Sequence, residues 1–280
     1  GLGYPKLVEV NKEIIMVSLP AAGRSGIFSK LRSYGPTING LSGLDSLLGY
    51  QGEPPIGFQN AFGDPNVGLH AAVAVLAALR HKRLTGKGQY IETSQLQSIL
   101  PMMGEALADY FMNGRNRQSE DNVRPNFAPY GTYPTNESDK WISIAVSSDE
   151  EWRSLCQVIQ REDLETDNRY SSLEYRHSNR DLLDSAIEQW TIKMEAREAA
   201  SMLQSMGVSA APCLDVEGRF FDPQLQSSEA YVPIEHPVLG TAYIYGIPWA
   251  HSKTPGSIVR RSPLLGEHNE YILGDILGYD

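Results

Sequence analysis

Cysteine is scarce in this chain of 280 residues: only Cys156 and Cys213 occur. Two cysteines that far apart frame neither a disulfide scaffold nor a metal site, so no metal is expected and a reducing, cytoplasmic compartment is the default. Cys213, within Ala210-Ala211-Pro212-Cys213-Leu214, reads as a small buried hydrophobe. Long apolar runs are missing too. The longest, Leu69 to Leu79, is interrupted by His70 and is too short to span a bilayer, and the start carries no signal-peptide pattern. Positive charge is in deficit, 24 Lys and Arg against 34 Asp and Glu, for a net charge of −10. Such a chain is a poor non-specific nucleic-acid binder, because that affinity comes from neutralising phosphates. Any anionic ligand has to be met by cations gathered locally. Internal repeats and low-complexity tracts are absent. With 41% hydrophobic and 21% charged residues, what is present is a folded protein long enough for two domains.

The order of elements is that of a mixed α/β protein. Glu13 to Leu19 is a short apolar run of β-branched character, as in a strand buried on both faces of a parallel sheet. Pro36 to Gly49 reads as a helix and Pro65 to Leu84 as a second, mostly buried one; Gln89 to Thr93 reads as a strand and Gln95 to Asn113 as a helix kinked at Pro101. His70, on the buried helix, reads as a core histidine rather than a base. Residues 113–126 are polar, carry Arg115, Arg117 and Arg124, and read as a linker. Beyond it, strands are expected over Tyr130–Pro134, Trp141–Val146 and Val208–Leu214, and helices over Asp149–Ile159, Asn179–Lys193 and Glu195–Met206. Broken strands over Val238–Trp249 and a polar tail follow. The expected domains are a large α/β domain in residues 1–124, a small α+β domain in 125–225, and a segment, 226–280, that returns to the large domain. The start, Gly1-Leu2-Gly3-Tyr4-Pro5, reads as the middle of a helix–loop–strand unit, the expectation for a fragment, a processed product or half of a fusion.

One segment carries chemistry. Phe62-Gly63-Asp64-Pro65-Asn66-Val67-Gly68-Leu69-His70 sets an aspartate on a glycine-flanked turn ahead of a long apolar helix. As local structure, Asp followed by Pro is a helix start, with Asp64 as N-cap and Pro65 at the first helical position. As chemistry, a carboxylate there sits at the positive end of the helix dipole, where backbone donors can also meet charge developing on an acyl group.

Several segments decide between these readings by their order along the chain. Arg32-Ser33-Tyr34-Gly35-Pro36 and Leu41-Ser42-Gly43-Leu44 precede Gly63-Asp64-Pro65. Ala77-Ala78-Leu79-Arg80-His81-Lys82-Arg83 and Thr85-Gly86-Lys87-Gly88-Gln89 follow it. Then come Ala128-Pro129-Tyr130-Gly131, Asp222-Pro223-Gln224-Leu225 and Leu265-Gly266-Glu267-His268. The glycine-rich element at 85–89, with an aspartate 21 residues earlier, is the most specific of these. Over nearly its whole length the chain resembles the family III (CaiB/BaiF-type) CoA-transferases, without the N-terminal portion of that family.

The resemblance implies a Rossmann-like large domain, a smaller α+β domain and an interlocked dimer. It implies that Asp64 is the covalent nucleophile: it attacks an acyl-CoA thioester, becomes a mixed anhydride, is converted to an aspartyl-CoA thioester, and hands CoA to a second carboxylic acid. No cofactor is implied beyond coenzyme A as substrate. Arg32, Ser33, Tyr34 and Gln95 fall at CoA-contacting positions, and Arg80, Lys82, Arg83 and Lys87 form a candidate phosphate patch. The partners implied are an acyl-CoA, a carboxylic acid, and a second copy, a related subunit or the absent N-terminal portion. The context of Gly63-Asp64-Pro65 is closer to members acting on bulky or aromatic acids than to the oxalate branch, whose polyglycine loop is not visible.

Two alternatives stay open. A racemase or isomerase of the same fold pairs the aspartate with an upstream histidine, and residues 1–69 contain none. A non-catalytic partner subunit of a hetero-oligomeric CoA-transferase would keep the scaffold while another chain carries the chemistry.

Overall fold

The computed structural model describes residues 2–58, 60–119 and 123–279. The chain divides into two units, residues 1–125 and 126–280.

In the first unit, α1 (Tyr4–Val10) leads to β1 (Met16–Ser18). Next comes α2 (Gly35–Ser42), with Pro36 in its first turn, where a missing N–H breaks no helical bond. The single helix expected over 36–49 stops at Ser42, because Gly43 turns left-handed at φ 88°; a short 3₁₀ turn, Leu44–Leu47, follows. The long helix α3 runs from Gly63 to Thr85 and ends on Gly86 at φ 70°. It delivers the chain to β2 (Tyr90–Glu92), which pairs in parallel with β1, Met16 opposite Tyr90 and Ser18 opposite Glu92. The Thr85–Gln89 element is thereby explained. Gly86 closes α3, and a Cβ on Gly88 would lie 1.9 Å from the Ile14 carbonyl oxygen, so only glycine lets the chain enter beside β1. Two parallel strands joined through helices are an α/β connection. The helix expected over 95–113 is three pieces: α4 (Gln95–Ile99), a 3₁₀ turn Leu100–Met103 holding Pro101, and α5 (Gly104–Asn113).

Two expectations about α3 are corrected. Val67, Ala71 and Ala78 are buried, but Leu69, Val73 and Leu76 on the other side are 64, 69 and 67% exposed, so the helix is covered on one face only. His70 is exposed, its Nδ1 2.9 Å from the Asn66 carbonyl oxygen one turn back, and is not a core histidine. The polar stretch after α5 is also more than a linker. Arg117 Nε donates to the nearly buried Asp109 carboxylate at 2.8 Å, and Arg115 lies 3.1 Å from its other oxygen.

The second unit is a two-layer α+β structure. β3 (Tyr130–Pro134), β4 (Trp141–Ala145) and β5 (Ser209–Cys213) form an antiparallel sheet in that order. Ile142 and Ile144 of β4 alternate inward while Trp141 and Ser143 face out. Five helices lie between β4 and β5: α6 (Asp149–Val158), α7 (Glu162–Thr166), α8 (Leu173–Ser178), α9 (Arg180–Thr191) and α10 (Ala196–Ser205). Leu155, Cys156, Leu183, Ile187 and Leu203 from these helices complete the core with Ile142 and Ile144. Arg176, 1% exposed, is fully engaged there: it donates to the carbonyl oxygens of Ala128 (3.0 Å) and Tyr170 (3.1 Å) and to Asp149 (2.8 Å), and stacks on Trp152. The boundaries expected for these strands and for α6, α9 and α10 hold to within two residues. Two short helices, α11 (Val216–Phe220) and α12 (Pro223–Ser227), lead to a hairpin of β6 (Tyr231–His236) and β7 (Gly240–Tyr245). β6 lies outside the strands expected from the sequence and carries Pro233, a residue uncommon inside strands. Residues 226–280 group with this second unit. Cys213, at the end of β5, is exposed rather than buried.

Two outcomes are expected. Burial pushes the Cys156 thiol up to about 12, whereas Cys213 is reachable. A chromogenic thiol reagent at pH 8 should titrate one thiol in the native protein and the second only in denaturant; two fast thiols would contradict this packing. The Asp109 carboxyl is held below the usual range by Asn113 and then Arg117. Its contribution to stability is present above about pH 4 and is lost as pH falls through the lowered folded value. The melting-temperature difference between the native chain and Asp109→Asn should therefore be constant near neutrality and close below pH 4.

Candidate active site

Asp64 is the second residue of α3, not its cap. The helix begins two residues earlier than the Asp-Pro pattern suggests, Phe62 occupies the cap position in helical geometry, and no side chain caps this end. Pro65 is third, still within the turn where N–H groups have no helical partner. The Asp64 N–H donates to Ala61 O at 3.2 Å, and its side chain lies exposed at the positive end of a 23-residue helix.

One oxygen, Oδ1, accepts a hydrogen bond from Gln95 Nε2. Gln95 is the first residue of α4, and its backbone is held on every side. Its N–H donates to Pro20 O at 3.2 Å, and that of Leu96 to Ala21 O at 2.9 Å. Buried Ser94 caps the helix by accepting from Gln97 N at 3.2 Å. Ser98 Oγ donates to the Gln95 carbonyl at 2.8 Å, and Asn66 Nδ2 on α3 donates to the Ser98 carbonyl at 2.5 Å. The first turns of α3 and α4 are thus laced together.

Glycine makes the approach possible. A Cβ on Gly63 would stand 3.3 Å from Ile99 Cδ1, 3.4 Å from Gln95 Cβ and 3.5 Å from Ile38 Cγ2 of α2. Gly35, the first residue of α2, is tighter: its Cβ would lie 2.4 Å from Ala61 Cβ and 2.5 Å from Ala61 Cα. The starts of α2, α3 and α4 therefore meet around Asp64. Buried Asn39 secures the turn before α3 by donating to Phe58 O (3.2 Å) and Asn60 O (3.0 Å), and Asp45 accepts from Phe58 N at 2.9 Å.

Of the expected site residues, Asp64 and Gln95 are brought into contact. Tyr34 immediately precedes the Gly35–Ala61 contact and is 86% exposed. The Ser33 hydroxyl is buried without a hydrogen-bond partner among the described residues. Arg32 lies exposed on the loop between β1 and α2. The cationic patch lies elsewhere: Arg80 is roughly 24 Å along α3 from Asp64 at 1.5 Å per residue, and Lys82 is paired with Glu13 at 3.2 Å. Asn39, Ala61, Ser94 and Ser98 were not singled out. For Ser94 a signal existed, since Ser94-Gln95-Leu96-Gln97 has the capping-box pattern. The others act through packing that no local pattern reveals.

Residues 1–269 match the family model described as CoA-transferase family III. The chain belongs to that family. Among its relatives in the family, the succinyl-CoA–D-citramalate CoA-transferase of Chloroflexus aurantiacus is 27% identical over 278 residues, covering 99% of this chain and 69% of that protein. The beta subunit of succinyl-CoA–L-malate CoA-transferase from the same organism is 27% identical over 281 residues, covering 99% and 69%. The crystal structure of a CaiB/BaiF family protein from Brucella suis superposes with a TM-score of 0.88 at 26% identity, over 98% of this chain and 71% of that one. The mixed α/β fold is that of the family III structures, and the chain spans 69 to 71% of these relatives' length.

Gly35→Ala should force the Ala61 backbone away and cost about 1–3 kcal/mol of stability in urea titration, the range for overpacking a tight contact. Gly63→Ala needs shifts of only a few tenths of an ångström and should cost less. A Gly35→Ala chain as stable as the parent would contradict the close approach.

Proposed function

We propose that this chain carries the nucleophile of a CoA-transferase that moves CoA from an acyl-CoA thioester to a free carboxylic acid through an aspartyl-CoA intermediate on Asp64. The observation that carries the reading is the Asp64 carboxylate itself. It is exposed at the meeting of three helix starts, with one oxygen held by Gln95. Asp64 attacks the donor's thioester carbon and expels CoA as thiolate, leaving a mixed anhydride. The thiolate attacks Asp64 Cγ and releases the donor acid. The acceptor carboxylate then displaces CoA from Asp64, and CoA attacks the acceptor's acyl carbon to give the new thioester and regenerate the aspartate. One direct exchange between two poor partners becomes a sequence of acyl transfers.

The CoA moiety is read onto Arg32, Ser33, Tyr34 and Gln95. The unsatisfied Ser33 hydroxyl and the exposed Tyr34 ring and Arg32 guanidinium support that placement. No cofactor beyond coenzyme A is required. The names of the relatives point to succinyl-CoA as donor and a short dicarboxylic acid as acceptor, which we adopt in place of a bulky or aromatic acid. The racemase reading needs a histidine base beside the aspartate, and His70, the first histidine of this sequence, has its Nδ1 at 2.9 Å from Asn66 O.

The domain arrangement proposed is a Rossmann-like large domain, to which residues 226–280 return, a small domain in 125–225, and an interlocked homodimer or a heteromer in the cytoplasm. The uncovered face of α3 supports a requirement for further chain, whether from a second copy, a related subunit or the rest of the family fold. A non-catalytic role in a heteromer is the second reading, and the same face favours it.

Both readings meet one experiment. The whole protein, with any subunit that copurifies, is incubated with succinyl-CoA and other acyl-CoAs, trapped with hydroxylamine and mapped by mass spectrometry, beside Asp64→Asn. Asn keeps an oxygen for Gln95 and removes the nucleophile. The expected result is an adduct on Asp64 and a loss of about 10³-fold or more in turnover in the Asn variant. A folded, assembled protein with no adduct from any donor would favour the non-catalytic reading.

A further inference from the structure

We propose that Gln95 is a catalytic residue of this reaction. Its side-chain amide holds Asp64 Oδ1 as the carbonyl oxygen of every covalent intermediate and stabilises the negative charge that forms on it, while Oδ2 does the attacking. This rests on Asp64 being the nucleophile.

The two carboxylate oxygens of Asp64 are not alike. Oδ1 accepts from Gln95 Nε2, whereas no hydrogen bond to Oδ2 is found among the described residues. An oxygen already engaged by a donor is the poorer nucleophile, so Oδ2 forms the bond to the donor's acyl carbon as the carbon–sulfur bond breaks and CoA leaves as thiolate. Oδ1 is then the carbonyl oxygen of the anhydride. When the thiolate adds to Asp64 Cγ, the carbonyl π pair moves to Oδ1 and gives a full oxyanion. That pair returns as the Cγ–Oδ2 bond breaks and the donor acid departs with Oδ2. The acceptor acid adds to the same carbon in the same way, expels CoA, and leaves one of its own oxygens on Asp64 when CoA takes the acyl group. Both additions at Cγ place more charge on Oδ1 than the state before them, which is the condition for a donor to lower a barrier.

The amide is preorganised for this. α4's first two N–H groups are spent on Pro20 and Ala21 and its third on Ser94 Oγ, the Gln95 carbonyl accepts from Ser98, and a Cβ on Gly63 would touch the Gln95 Cβ at 3.4 Å. The group free to reach Asp64 is the side-chain amide, on a backbone that cannot drift.

The test uses the whole assembled protein, Gln95→Leu, and Gln95→Met as an unbranched variant of similar length in case the first does not fold. With succinyl-CoA and a dicarboxylic acceptor, kcat should fall about 10²–10³-fold, as when one oxyanion donor is removed, with KM little changed. With succinyl-CoA alone, the steps at Cγ become slow relative to anhydride formation. Free CoA thiol should then appear as a burst approaching one per site, a burst the parent suppresses by recapturing the thiolate. In protein labelled with ¹³C-aspartate, the aspartyl-CoA carbonyl band should move to higher wavenumber in both variants, because the hydrogen bond that softens it is gone. Normal kcat in both variants, or loss of kcat with neither burst nor band shift, would overturn the role of Gln95 while leaving Asp64 as nucleophile. A parent protein that shows neither transfer nor an Asp64 adduct would overturn the underlying reading, and this proposal with it.

Discussion

At Gly35 the polypeptide comes closer to its neighbour than any side chain allows, at Gly63 a side chain would fit only with small shifts, and the candidate site is built on these two approaches. The Gly35 contact with Ala61 sets the last turn before α3 against the start of α2. The Gly63 contact with Gln95, Ile99 and Ile38 sets the start of α3 against α4 and α2. Helix starts carry partial positive charge and unpaired N–H groups, so packing them together is costly unless something negative lies between them. Asp64 puts a carboxylate at the positive end of α3, while the first N–H groups of α4 are met by Pro20, Ala21 and Ser94.

The surrounding hydrogen bonds follow from that geometry. Bringing helix starts together removes water from their first turns, and each backbone group left behind needs a partner. Ser94, Ser98, Asn66 and Asn39 supply them, and Ser94, Ser98 and Asn39 are buried. The result is a rigid bed under Gln95 and Asp64, the form in which a donor–acceptor pair contributes to catalysis rather than merely to solvation. The second unit is built on a different principle. Its core is a conventional sheet-and-helix sandwich, and the buried cation Arg176 is satisfied by two carbonyls, Asp149 and the face of Trp152. Removing a partner from such a buried ion is strongly destabilising, so Arg176 reads as a fastening of that core and not as a ligand group.

Legibility differed between the two units for a physical reason. In the second, burial alternates along β4 and recurs along α6, α9 and α10, so local periodicity marks the elements and their ends. In the first unit, periodicity misled. The apolar residues around α3 suggested a buried helix, yet Leu69, Val73 and Leu76 stand open. Their hydrophobicity records a surface to be covered, and nothing in a local pattern tells whether the cover lies in this unit.

The sequence by itself determined that Asp64 lies at the start of a long helix, that this helix ends just before Gly86, and that the ordered motifs are those of family III CoA-transferases. These follow from neighbours along the chain: proline and glycine geometry, dipole preference, residue spacing. Only the tertiary structure decided which side chain meets Asp64, that it meets one oxygen and not the other, and that Asp64 is not a cap. Gln95 is 31 residues from Asp64, and their contact is eased by Gly63, where a Cβ would crowd Ile99 and touch Gln95 on α4. Such a meeting is a property of packing, which no local pattern contains.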